Sequence, residues 1–400
     1  MRLTFLSTSG HLGGAEASLR DVLASLRQAR PAWTLVLVAP RDGRLVREAQ
    51  PLGVRTIILP FPPALARFGE HGFTSDGGLA VARLARAALA TPWYVHRLRA
   101  TLRAHRTDVI HANGLKAHLL AAAAKPRGAA LVWHVHDYLQ RRPVSARLMG
   151  RLVSRCDAIL ANSESVARDV RDVLGDRVPV STMYNGVDLE RFRANGPVVD
   201  LDALAGLPPA AAGVVRVGLV AVMARWKGHF LFLDALAAVP PETPVRGYVV
   251  GGPIYDTEAS QCSLDALRAR ARALGLEGRV GFTGFVEAPE DAMRALDVVV
   301  HASTEPEPFG LVIAEAMACG RPVIASRAGG AAEIVEDGVD GLAFSPGDAG
   351  QLAGAIARLA ADPDERRRLG DAAARSARRF DRRLLADTLV PLYEALRARR

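Results

Sequence analysis

Two carboxylates eight positions apart, Glu307 and Glu315, bracket a turn that carries Pro308 and Gly310. The run Leu296 to Ser303 before it reads as a buried strand. From Phe309 the pattern is helical, and Gly320 followed by Pro322 supplies a C′ glycine and a stop. A turn therefore delivers the chain into a helix start, where about four unpaired N–H groups and the positive end of the dipole favour an anion. Flanking carboxylates would repel bare phosphate, but not a phosphate carrying hydroxyl-rich groups on either side. That points to a sugar nucleotide. A glycosidase acid/base pair is the competing chemistry. Eight helical residues separate two backbones by about 12 Å, against about 5–9.5 Å for such carboxyl pairs, and a simple glycosidase has no use for an anion-binding helix start between them. Read as an ordinary loop acid and an ordinary helix-surface acid, the two leave their placement around the Pro-Phe-Gly turn unexplained.

Other candidates stand at strand ends. Arg225-Trp-Lys-Gly228 follows an apolar strand and offers two cations to a diphosphate leaving group; a solvated surface pair is the plainer reading. Only Lys116, Lys125 and Lys227 are lysines among 51 basic residues, so each can mark a place that needs a compact ammonium. The loop Gly10-His-Leu-Gly-Gly14 permits close backbone approach at Gly13 and Gly14. It is not G-x-G-x-x-G, and no acidic residue ends the second strand, so a dinucleotide site is not expected. His134 and His136 share a strand face, with His136 nearer the loop and Asp137 next to it. Together with His11, Asn113 and Lys116, Asp137 makes the acceptor-side set. Asp200-Leu-Asp202 has metal-site spacing but follows no strand, and reads as linker acids.

These residues need a scaffold. Four hundred residues, half of them apolar, imply two globular domains or three. Short apolar strands alternate with amphipathic helices twice over: strands at 2–8, 33–39, 54–59, 108–112, 130–136, 158–161 and 178–183, then at 214–222, 245–251, 279–283, 297–302 and 322–326. The alternation predicts α/β architecture, with parallel, doubly wound sheets in two Rossmann-like domains facing across a cleft. The Pro-containing stretch 188–213 reads as the inter-domain connection. Residues 1–150 hold 21 Lys/Arg against 8 Asp/Glu (+13) and the remainder 30 against 34 (−4), which suits an anionic partner for the first half, such as a membrane surface; arginine-rich helix faces are the plainer account. Arg147, Arg151 and Arg155 recur every four residues, on one helical face. No apolar run reaches membrane-span length, and Cys156, Cys262 and Cys319 lack disulfide or zinc spacing, so a cytoplasmic protein is expected.

With these pieces assembled, the chain resembles the retaining glycosyltransferases of family 4, which have the GT-B fold. Glu307 to Glu315 is similar to that family's E-x7-E signature. Gly13-Gly-Ala-Glu16, His136-Asp137, Tyr184-Asn-Gly-Val-Asp188, Lys227-Gly228 and Gly281-Phe-Thr-Gly-Phe285 resemble its motifs in the expected order. The resemblance implies an acceptor-binding domain at 1–190, joined by the final helix 383–400, and a donor-binding domain at 191–382. It implies that Glu307 and the backbone of Phe309 and Gly310 hold the donor sugar, that Leu311 and Val312 meet phosphate, and that Glu315 holds the ribose. Gly14 would approach the diphosphate, His136 would lie by the sugar and the acceptor, and Phe285 would frame the base. His136, Glu307 and Lys227 would be the catalytic set. The implied donor is a UDP-sugar or GDP-sugar, with no catalytic metal or other cofactor. A glycan, lipid-linked or small acceptor is expected, and nucleic acid is not. One departure stands out: the family's arginine, five residues before the lysine, is Val222 here, with Arg225 the candidate substitute. A sugar-nucleotide epimerase of the same architecture and a non-catalytic sugar-nucleotide-binding subunit are the alternatives.

Overall fold

The computed structural model describes residues 1–63, 77–253 and 261–400. Most of the irregular Pro/Gly stretch 60–78 thus lies outside the described residues. The chain divides into two compact units, Met1–Gly186 with Arg382–Arg400, and Val187–Asp381. The first holds seven strands: β1 (Arg2–Ser7), β2 (Thr34–Ala39), β3 (Arg55–Ile58), β4 (Val109–Asn113), β5 (Ala130–Val135), β6 (Ala158–Ala161) and β7 (Val180–Thr182). All pair in parallel in the order β3-β2-β1-β4-β5-β6-β7. Continuous apolar runs such as Leu35–Ala39 suit a sheet covered on both faces. Accordingly two cores form, one around Leu98, Leu120, Trp133 and Met149, the other around Phe5, Leu23, Leu37 and Tyr393. Tyr393 comes from the last helix, Leu385–Ala398, which the Ser25 hydroxyl clasps by accepting from Ala386 N (3.0 Å) and donating to the Arg383 carbonyl (3.1 Å).

The second unit holds β8 (Val215–Val220), β9 (Val245–Val250), β10 (Val280–Gly284), β11 (Val298–His301), β12 (Val323–Ser326) and β13 (Leu342–Phe344). These are also parallel, in the order β10-β9-β8-β11-β12-β13. Both sheets have the doubly wound form that the alternation predicts. In each, the strand order reverses once, between β1 and β4 and between β8 and β11. Ligands of such sheets bind outside the carboxyl ends of the strands at that reversal.

Residues 187–213 belong to the second unit and are tied to it by buried charges. Arg294, on helix Pro289–Ala295, donates to the carbonyls of Pro197 (2.7 Å), Arg191 and Arg193 (3.3 Å each) and pairs with Asp291. Asp202 accepts from Tyr248 Oη (2.6 Å), Arg246 (2.6 Å), Arg216 (3.1 Å) and Ala210 N (3.0 Å). Burial alone would push Asp202 up, and these donors hold it well below the usual carboxylate range. Asp200 caps helix Leu201–Ala205 through Ala203 N (3.0 Å). The D-x-D acids are therefore structural. Asp202→Ala strands two arginines, and is expected to cost about 3–5 kcal/mol. Asp200→Ala removes a cap alone, about 1 kcal/mol. Urea midpoints that shift equally would contradict this assignment.

Candidate functional site

The helix starts of the chain differ in how they are capped. Away from the reversal points, Ser163, Ser263, Asp348 and Asp362 cap helices with their side chains. The helices that follow β1, β4, β8 and β11 start instead on Gly13, Gly114, Gly228 and Gly310, with no side-chain cap. No N-cap side chain accepts from their first N–H groups, although at helix Gly14–Ala29 the Glu16 carboxylate accepts from the Gly13 and Glu16 N–H groups. Gly310 (φ 98) and Gly228 (φ 76) are left-handed, and a Cβ on Gly228 would stand 1.8 Å from the Ala302 carbonyl oxygen. No other residue fits at Gly228.

The loops after β8 and β11 meet at a carboxylate. Lys227, in the turn Arg225–Lys227, places Nζ 2.6 Å from Glu307 Oε1. Ser303 Oγ donates to Oε2 (2.8 Å), and His301 Nε2 lies 3.1 Å from that hydroxyl and 3.6 Å from Oε2. The Glu307 carbonyl accepts from Gly330 N (2.7 Å) and Thr304 N donates to the Trp226 carbonyl (2.8 Å), which joins three loops. Burial alone would push Glu307 up, but the Lys227 ammonium and His301 hold it well below the usual range. It is a carboxylate at every working pH, and it can only accept hydrogen bonds.

The rest of the signature surrounds this point. Helix Leu311–Ala318 starts two residues later than the Phe309 read from the pattern, because left-handed Gly310 ends the turn. Phe309 is buried edge-on to Phe380, with centroids 5.6 Å apart, so its backbone alone can serve a ligand. Leu311, Val312 and Glu315 are half-buried along that helix. Phe285 is 61% exposed after β10 and lies against Gly252. Arg225 is exposed, and Val222 precedes the turn. Lys227 alone of the two cations pairs with Glu307.

In the first unit, the β4 and β5 ends meet around His136. Asn113 Nδ2 donates to the Ala15 carbonyl (3.0 Å), so its Oδ1 faces His136 Nε2 (2.7 Å) and accepts from it. His136 is thereby the Nε2–H tautomer, with an enclosed, unpartnered Nδ1. Asn113 is spent on internal bonds and acts by orienting His136. Behind it run His134, with its ring 4.0 Å away, then His111 (Nε2 to His134 Nδ1, 3.3 Å), then Tyr393 Oη (2.7 Å from His111 Nδ1). Gly13 and His11 lie on the loop before helix Gly14–Ala29, with His11 and Gly14 exposed. Asp137 is exposed, and Lys116 Nζ stands 5.1 Å over the Phe61 ring. Lys125 serves structure, paired with Asp157 at 2.6 Å.

Sequence reasoning missed Ser303 and His301, and named Glu16 only within the Gly13-Gly-Ala-Glu16 motif. The first two sit two residues apart, His301 ending β11 and Ser303 just past it, in a run that reads as strand; period two at a carboxyl strand end, just before the signature turn, was the available signal. Burial pushes Glu16 up, and the charge of Asp137 adds to it.

The chain matches two protein families, described as Glycosyltransferase Family 4 over residues 12–191 and Glycosyl transferases group 1 over residues 214–376. It is 36% identical over 270 residues to D-inositol 3-phosphate glycosyltransferase 2 of Catenulispora acidiphila, covering 64% of this chain and 61% of that protein. It is 32% identical over 332 residues to D-inositol 3-phosphate glycosyltransferase of Streptomyces bingchenggensis, covering 77% of this chain and 71% of that protein. Among solved structures it is similar to Anabaena Alr3699/HepE in complex with UDP-glucose, with TM-score 0.81 and 29% identity over 99% of this chain and 100% of that one.

Burial pushes His111 and His136 down to about 3, His118 to about 4, and His134 well below its ordinary value. The unfolded chain takes up protons from about pH 6.5 that the native rings refuse, so stability falls as pH drops below that point. By pH 5 each ring is expected to cost up to about 2 kcal/mol. Amide exchange should show β4 and β5 losing protection between pH 7 and pH 5; unchanged protection there would refute the neutral-ring assignment.

Proposed function

The chain belongs to the glycosyltransferases that join a family 4 half to a group 1 half, and from that membership we propose that it moves a sugar from a nucleoside diphosphate sugar to a hydroxyl acceptor. The transfer retains anomeric configuration and uses no catalytic metal. One observation carries the reading: an ionised, enclosed Glu307 paired with Lys227 beside the uncapped helix start at Leu311, at the strand-order reversal of the second sheet. Glu307 accepts from the sugar hydroxyls and Glu315 from the ribose. The Leu311 and Val312 N–H groups and Lys227 take the phosphate, and Phe285 frames the base. As the anomeric carbon parts from the diphosphate oxygen, these cationic and N–H groups stabilise the charge that develops there. The acceptor oxygen bonds on the same face, and its proton passes to the departing phosphate. The Anabaena neighbour, solved with UDP-glucose, supports a uridine donor as the first to test.

The acceptor is assigned to the first unit, with His136 on its reactive side. The relatives named for D-inositol 3-phosphate support a phosphorylated polyol, which the +13 charge of residues 1–150 suits. A lipid-linked acceptor remains the second choice, favoured by exposed Arg147 and Arg151 on helix Pro143–Leu152 and by exposed Arg155 beyond it. No helix among the described residues is long and apolar enough to cross a membrane. Peripheral attachment at the inner membrane face is therefore the localisation proposed with that acceptor.

Glu307→Ala is expected to lower transfer from UDP-glucose by about 10²–10³-fold, as loss of a preorganised electrostatic partner does, with a cooperative melt kept at a lower midpoint because Lys227 loses its partner. EDTA should leave the wild-type rate unchanged. Near-normal turnover of Glu307→Ala would overturn the site; isomerised donor formed without acceptor would favour an epimerase. Separately, sedimentation with anionic vesicles should exceed that with neutral ones and fall with salt. Equal sedimentation would refute membrane attachment through the arginine face.

A further inference from the structure

We propose that Ser303 and His301 are positioning residues that fix one oxygen of Glu307 so that the other is presented to the donor sugar. The inference rests on the reading of Glu307 as the carboxylate that grips sugar hydroxyls. The two oxygens of Glu307 are held in different ways. Oε2 receives the Ser303 hydroxyl at 2.8 Å. That spends the only proton Ser303 has, so the approach of His301 Nε2 to Ser303 Oγ, 3.1 Å, must have the imidazole N–H donating. Both side chains are buried, His301 at 4% and Ser303 at 1% exposure; His301 ends β11, a strand between β8 and β12, and Ser303 lies two residues beyond it. His301 and Ser303 are two residues apart, hence on one face, which is what lets them act in series. The hold on Oε2 is therefore made by two buried side chains in series.

The hold on Oε1 is of another kind. Lys227 reaches it at 2.6 Å along a four-carbon stem, from the turn after β8. A diphosphate at the Leu311 helix start competes for that ammonium. When Lys227 turns to phosphate, a carboxylate held by lysine alone would be free to rotate. Ser303, oriented by His301, keeps the plane in place, and Oε1 is left to accept from the sugar. Donor binding then exchanges one partner of Glu307 without moving it.

A merely structural hydroxyl would lower the melting temperature and leave ligand discrimination unchanged. Calorimetry with UDP and with UDP-glucose separates the roles. Ser303→Ala is expected to leave UDP affinity within about twofold and to weaken UDP-glucose by roughly tenfold, the loss of one hydrogen bond to a charged group. His301→Leu should do the same to a smaller extent, and His301→Gln, which keeps a donor, should restore wild-type discrimination. Equal weakening of both ligands, or of neither, in variants that melt cooperatively would overturn the positioning role while the Glu307 reading stands. Wild-type protein that binds neither UDP nor UDP-glucose would overturn the uridine-donor reading, and this inference with it.

Discussion

A carboxylate that is 14% exposed can stay ionised only if the protein keeps a cation and donors against it, and at Glu307 that requirement organises three loops. Taking such a group from water costs several kcal/mol, which paired charges and hydrogen bonds must offset. Lys227 meets the need only because Gly228 turns left-handed and lets the β8 loop press on the Ala302 carbonyl. Ser303 meets it because β11 ends where it does. The Gly330 N–H ties the turn after β12 to the Glu307 backbone, and the Trp226 carbonyl ties the β8 loop to Thr304. Loosening any of these leaves a buried charge without its partner, so the loops at the reversal of the second sheet stand or fall together.

Much of the fold was legible because parallel strands are apolar throughout and their helices are not. Period changes at Ala158–Ala161 or Val245–Val250 need no tertiary knowledge. Within the stretch 188–213 the sequence showed the boundary but not what fastens it. Proline and broken periodicity signal an absence of regular structure, not an absence of docking, and what holds this stretch is Arg294, about a hundred residues further along the chain. Residue type alone was enough to single out the Arg225–Gly228 and Pro308–Gly310 turns and Glu307, which the structure brings together in the loops after β8 and β11. It was not enough where a partner decides the role. Asn113 looks like a ligand contact at a strand end, yet the Ala15 carbonyl and His136 use both ends of its amide.

Asp202 and Glu307 show how buried acids of one unit divide their roles. Asp202 is met by Arg216 on β8 and by Arg246 and Tyr248 on β9, whose backbones are fixed by sheet pairing. Ala210 N donates to Asp202 as well, so four donors share its two oxygens. Glu307 is met on one side by a strand end and on the other by a lysine whose turn carries no ladder bonds. Asp202 is surrounded by donors of the sheet and its flanks, whereas Glu307 takes one donor from a lysine whose long stem starts in a loop.

The proposed exchange of Lys227 from Glu307 to phosphate bears on how a transferase of this kind manages charge. In the structure Lys227 neutralises Glu307; on the proposed donor placement it would then be wanted by phosphate, and the hydroxyls of the sugar would take over its duty at Oε1. Hydroxyl donors are weaker than an ammonium, so the swap is favourable only if the phosphate gains more from Lys227 than the carboxylate loses. The helix start at Leu311 tips that balance, because its N–H groups add to the pull on phosphate at no desolvation cost to the lysine. Ser303 limits the loss, since Oε2 keeps its donor throughout. A carboxylate with a single hold would oppose donor binding; one held at both oxygens can release one of them.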